Sequence, residues 1–104
     1  MHLHNVYFSL IDRSNQAKQN LINDCQEFLT VQEGIVSFAC GLLEEELERE
    51  ENDRDFDVSL HIMFENREAH DAYQNDEVHH TFVDRNKDNW AKVRVFDTLV
   101  KARQ

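Results

Sequence analysis

Phe56, Val58, Leu60, Ile62 and Phe64 fall on one side of an extended chain, and Asp57, Ser59, His61 and Met63 fall on the other. A period of two held over that length is a β-strand with one buried face. Such a strand demands a sheet, and the sheet demands an apolar cover. Three further segments supply partners. From His2 to Leu10, the set His2, His4, Val6, Phe8 and Leu10 opposes Leu3, Asn5, Tyr7 and Ser9. Gly34 opens a short strand, Ile35 to Cys40, that Gly41 closes and that carries Val36, Phe38 and Cys40 on one side. Ala91 to Val100 reads as the last strand, with Val93 and Val95 opposing Arg94 and Phe96.

The cover is helical. Ala17, Leu21, Ile22, Cys25, Phe28 and Leu29 recur at helical spacing after Ser14, which predicts a capped helix over about 15–30. Asn66 caps a short helix to about Tyr73, and Asp76 caps a second through about Asn86. Between the second and third strands lie Glu44, Glu45, Glu46, Glu48, Glu50, Glu51 and Asp53, with only Leu42, Leu43 and Leu47 to dock. That stretch reads as an exposed loop. There is no proline and there are two glycines, so periodicity rather than turn residues must parse the chain.

The order strand–helix–strand, strand–helix–helix–strand predicts an α+β, ferredoxin-like split-βαβ fold, with a four-stranded antiparallel sheet and helices on one face. At 104 residues the chain is one domain, 1–104. The helices cover one face only. The other carries Tyr7, Ile35, Ala39, Met63 and Phe96 among Asn5, Ser37, Ser59, His61 and Arg94, too apolar to remain wet. Packing against a second copy hides it, so a two-fold homodimer is expected.

Acidic residues outnumber basic ones 21 to 11, for a net charge of -10. A chain with that balance repels phosphate, which argues against nucleic acid and against anionic membrane surfaces as partners. No apolar run approaches the ~18 residues of a spanning helix. Two cysteines, Cys25 and Cys40, make no disulfide framework, and the start lacks the pattern of a secretory signal; a reduced, cytoplasmic setting is the expectation. Glycine-rich phosphate loops and Gly-x-Ser-x-Gly elbows are absent, which removes nucleotide and serine-hydrolase readings.

The segments His4–Phe8, Gly34–Phe38 leading to Gly41, Asp57–Ala69 running on to Tyr73 and His79, and Trp90 with Val93–Asp97 together resemble the stress-responsive A/B barrel (Dabb) family of the dimeric α+β barrel superfamily. The resemblance implies the dimeric barrel. It also implies a cavity between sheet and helices in which a plant polyketide cyclase of this fold performs a cofactor-free aldol closure. That enzyme uses a tyrosine and a histidine after the third strand, and a first-strand histidine lines its pocket. On this sequence those roles fall on Tyr73, His79 and His4.

Each residue also has a plainer reading. His4 shares a face with Val6, Phe8 and Leu10; it is either a core histidine satisfied by a backbone carbonyl or Tyr73, or an acid/base. Tyr73 closes the core with its ring, or donates to an oxyanion while His79 acts as base. His2, His4, His61, His70, His79 and His80 show no ligand pattern such as His-Glu-x-x-His, so neither metal nor other cofactor is expected. Cys25 and Cys40 sit on apolar faces and read as structural thiols. The expectation is a protein that binds a small apolar or aromatic ligand between sheet and helices. The alternatives are a cofactor-free cyclase, related lyase or monooxygenase with Tyr73 and His79 as the acid/base pair, and a non-catalytic stress-associated structural protein with a filled core.

Overall fold

The computed structural model describes residues 1–101. The elements are β1 (His2–Leu10), α1 (Asn15–Phe28), β2 (Ile35–Leu42), β3 (Val58–Phe64), α2 (Arg67–Asn75), α3 (Glu77–Asn86), a 3-10 turn (Lys87–Asn89) and β4 (Trp90–Leu99). All three predicted caps form. Ser14 Oγ accepts from Ala17 N, Asn66 Oδ1 from Ala69 N and Asp76 Oδ1 from Val78 N. Each satisfies a backbone donor that has no partner inside its helix.

The strands pair antiparallel in the order β2-β3-β1-β4. This is the ferredoxin-like arrangement. The helices lie on one face, α1 over β2 and β3, and α2 over β1 and β3. Beneath them Val58, Ile62 and Phe64 are fully buried, and Val6, Phe8 and Leu60 nearly so. From α1, Leu21, Ile22 and Cys25 complete the core, and Leu29 follows as its capping residue. Burial of each large apolar side chain contributes about 1.5–3 kcal/mol against chain entropy.

Three details depart from the reading of the sequence. First, β2 does not end at Gly41; Gly41 pairs with Ser59 and Leu42 with Val58. Second, the β2 register slips between Ile35 and Ser37. One extra residue at an edge strand reverses the faces upstream of it. Ile35 therefore joins Phe38 and Cys40 against the core, while Val36, expected beside them, is 54% exposed. Third, Phe56 and Asp57 precede β3 and do not follow its alternation. Phe56 packs edge-on against Tyr7 of the open face at 5.0 Å, and Asp57 is buried. The Asp57 carboxylate accepts from Leu10 N at 2.8 Å and Arg13 Nε at 3.0 Å.

Gly34 has φ +86°, and a Cβ there would stand 2.5 Å from the Ala69 Cβ. Only glycine lets the start of β2 run this close to α2. The acidic stretch is irregular and exposed, as expected. Its end is tied to β4 by Arg94 with Asp53 and by Lys92 with Asp55. The open face carries Tyr7, His61, Met63 and Phe96; His61 bridges Asn5 Oδ1 and Ser59 Oγ. Among the described residues no helix is long and apolar enough to cross a membrane.

Candidate functional site

The two halves of the helical face are covered unequally. β4 reaches past the helices, so Val93 and Val95, whose register partners Phe8 and Val6 are buried, remain 38% and 50% exposed. The gap between β1, β4 and helices α2 and α3 is a cleft of ≈ 310 Å³. His4, Tyr73 and His79 all line it, with Phe8, Trp90 and Val95 among its apolar walls. A larger depression of ≈ 530 Å³ lies between α1 and α3, but its Asp24 is already held by Arg85 and Asn86. The smaller cleft gathers His4, His70, Tyr73, His79 and Asp97.

The sequence-predicted trio is thus brought together, but its members do not hydrogen-bond one another. The partner of His4 is neither a backbone carbonyl nor Tyr73; its Nδ1 lies 2.7 Å from Asp97 Oδ1, and its Nε2 lies 3.4 Å from the Gln74 side-chain amide. Tyr73 meets His4 edge-on at 5.9 Å and His79 at 4.8 Å between ring centroids. The Asp76 break, with ψ 139°, turns the chain from α2 into α3 and sets His79 beside Tyr73. Three nitrogens of residues lining this cleft, His70 Nε2, His79 Nδ1 and Trp90 Nε1, are buried with no hydrogen-bond partner among the described residues. Such atoms cost about 1–3 kcal/mol each.

Electrostatics follow from burial. Desolvation lowers the His79 pKa, with His80 and His4 adding to the effect and Asp76 opposing it. Desolvation also lowers His4, against the pull of Asp97. Both imidazoles are neutral at pH 7. Burial pushes the Tyr73 phenol up, so it remains a proton donor. Burial alone would raise Asp97, but hydrogen bonds from His4 and His2 outweigh it and hold the carboxyl below its ordinary range. Burial raises Cys25 and Cys40, which suits inert thiols rather than nucleophiles.

Asp97 and His70 were not singled out from the sequence as site residues, though both line the cleft. Asp97 is visible only once the β1–β4 register places it opposite His4. His70 is brought in by α2, and its position in the chain says nothing of His4.

The sequence pattern of the stress responsive A/B barrel domain matches residues 3–100, nearly the whole chain. The chain belongs to the Dabb family. No functionally curated protein is significantly similar to it in sequence. Solved structures share its fold at low identity. An Arabidopsis thaliana protein superposes with a TM-score of 0.80 at 20% identity, covering 100% of this chain and 99% of that one. A Dabb protein with a ferredoxin-like fold from Mesorhizobium loti gives 0.77 at 20%, covering 97% of both chains. A dimeric ferredoxin-like protein of unknown function from Thermobifida fusca gives 0.77 at 12%, covering 95% of this chain and 90% of that one. These likenesses establish the fold, and activity must be argued from the cleft.

Proposed function

We propose that this Dabb protein acts as a homodimer holding a small, largely apolar or aromatic molecule, with at least one carbonyl or hydroxyl group, in the cleft between sheet and helices. One observation carries the reading. The apolar walls of a single cleft present buried, unpartnered nitrogens at His79 Nδ1, beside the Tyr73 ring, and at Trp90 Nε1. A ligand oxygen accepting from Trp90 and a ligand proton shared with His79 relieve both. Dimerisation is supported by the half-exposed Phe96 and the neighbouring Tyr7 and Met63 of the open face, and by the dimeric relative of the same fold.

Acid–base chemistry is a second reading, favoured by the pairing of a neutral imidazole with a protonated phenol. In that reading His79 Nδ1 takes a proton from the carbon next to a ligand carbonyl, while the Tyr73 hydroxyl donates to the enolate oxygen. The carbanion then attacks a second carbonyl, whose alkoxide recovers the proton from the imidazolium. Nothing is oxidised or reduced, and no cofactor enters.

Acetophenone tests both, and Trp90, the single tryptophan, is the reporter. Saturable quenching that weakens at least tenfold in Val95→Phe is expected. Quenching that rises linearly and ignores that change overturns ligand binding. Exchange of the methyl protons with deuterated water, lost in Tyr73→Phe and in His79→Ala at nearly unchanged melting temperature, is expected of the catalytic reading. Exchange that persists in both variants removes it. Light scattering should find a dimer that Phe96→Glu dissociates, and a wild-type monomer at micromolar concentration refutes the assembly.

A further inference from the structure

One end of the cleft gathers more imidazoles than hydrogen bonding requires. His2 and His4 occupy alternate positions of β1, so both reach the helical side, where the β1–β4 register sets Asp97 opposite His4. α2 brings His70 over them. Asp97 Oδ1 lies 2.9 Å from His2 Nε2, 2.7 Å from His4 Nδ1 and 3.7 Å from His70 Nε2. One donor atom from each of the four residues falls within 4.8 Å of every other. The His2 and His70 rings stack with centroids 4.2 Å apart and planes 24° from parallel.

Two histidines already satisfy the Asp97 oxygen. The third, at His70 Nε2, is buried without a partner. Its other nitrogen is engaged: His70 Nδ1 meets Asp71 Oδ1 at 3.0 Å, and Asp71 in turn accepts from Arg67 Nε at 2.8 Å. A carboxylate behind an imidazole fixes the proton on the near nitrogen and aims the far lone pair outward, the arrangement that orients metal-bound histidines. His4 has a comparable support. When Nδ1 gives up its proton to Nε2, the Gln74 amide at 3.4 Å can turn its oxygen to accept it.

We propose that His2, His4, His70 and Asp97 form a binding site for one divalent transition-metal ion of the zinc type. The ligand atoms are Nε2, Nδ1, Nε2 and Oδ1 in that order. Metal–ligand bonds of about 2.0–2.1 Å put tetrahedral donors roughly 3.3 Å apart, within reach of small side-chain shifts from the observed spacings. Three nitrogen donors disfavour calcium and magnesium, which prefer oxygen. Four protein ligands leave no open position, so the ion acts as a clasp joining β1, β4 and α2. The His2, His4 and His70 side chains are 12%, 5% and 12% exposed, while Asp97 at 40% faces the solvent from which an ion enters. This goes beyond the ligand-binding reading and needs no organic molecule.

The test is calorimetric titration of untagged, chelator-stripped protein with Zn²⁺. One ion per chain is expected, with a raised melting temperature. Binding is lost in His70→Ala, weakened about 10- to 100-fold in Asp71→Asn and unchanged in His80→Ala, a histidine exposed on α3. Absent stoichiometric binding, or binding that survives His70→Ala and His2→Ala, overturns the proposal. Zinc-free circular dichroism checks that the variants fold. Should His70→Ala fail there, wild-type protein loaded with Co²⁺ decides: tetrahedral visible bands displaced by Zn²⁺ support the site, and a pale octahedral spectrum refutes it. Repeating the acetophenone titration on stripped protein keeps failure of the metal site distinct from failure of ligand binding.

Discussion

The same sheet face is built in two ways. Over β2 and β3, α1 seals Ile62 together with its own Cys25 and the capping Leu29 to 1% exposure or less. Over β1 and β4 the cover is partial, Val93 and Val95 are left partly bare, and histidines, a tyrosine and a carboxylate collect in the gap. The sealed half has no room for a ligand. The open half gives up apolar burial and retains unpaired nitrogens, both of which reduce stability. The division separates the part of the face that holds the fold together from the part that gathers its titratable side chains.

Ile62→Ala should break the sealed half hardest, lowering unfolding free energy by about 2–5 kcal/mol in urea titrations, because a cavity replaces fully enclosed atoms. Asp57→Asn should cost about 1–3 kcal/mol by the same measurement, since Leu10 N and Arg13 Nε bond to different carboxylate oxygens and the amide NH2 that replaces one of them cannot accept. Val95→Ala, in the open half, should cost less than ~1 kcal/mol. A loss equal to that of Ile62→Ala would erase the distinction between the halves.

A last effect is with pH. His79 is lowered from its ordinary 6.5, so the folded chain takes up the proton less readily than the unfolded one. Its contribution is complete above pH 6.5 and is lost as pH falls through the folded value. One such group changes stability by at most about 1.4 kcal/mol per pH unit, and His79→Gln should flatten the slope by that amount or less. A stability that rises on acidification from pH 7 to 5 would contradict it.

What the sequence disclosed follows the same division. β3 was legible because every second residue from Val58 to Phe64 is buried, and the caps Ser14, Asn66 and Asp76 were legible because capping is local chemistry. The face of Ile35 and Val36 was not, since one inserted residue reverses a strand without leaving a mark in composition. Phe56 and Asp57 continue the alternation in letters but lie before the ladder begins. In the cleft, His4, Tyr73 and His79 came from family resemblance, and periodicity alone did not join them. The His2, His4, His70 and Asp97 cluster draws on three elements spread across the chain. Only the His-x-His spacing on β1 hinted at it.

The slip at Val36 lies in an outermost strand. A regular border would offer an unbroken row of amides and carbonyls to any passing β-segment, which is how sheets grow into fibrils. A kinked rim is a poor template for such growth.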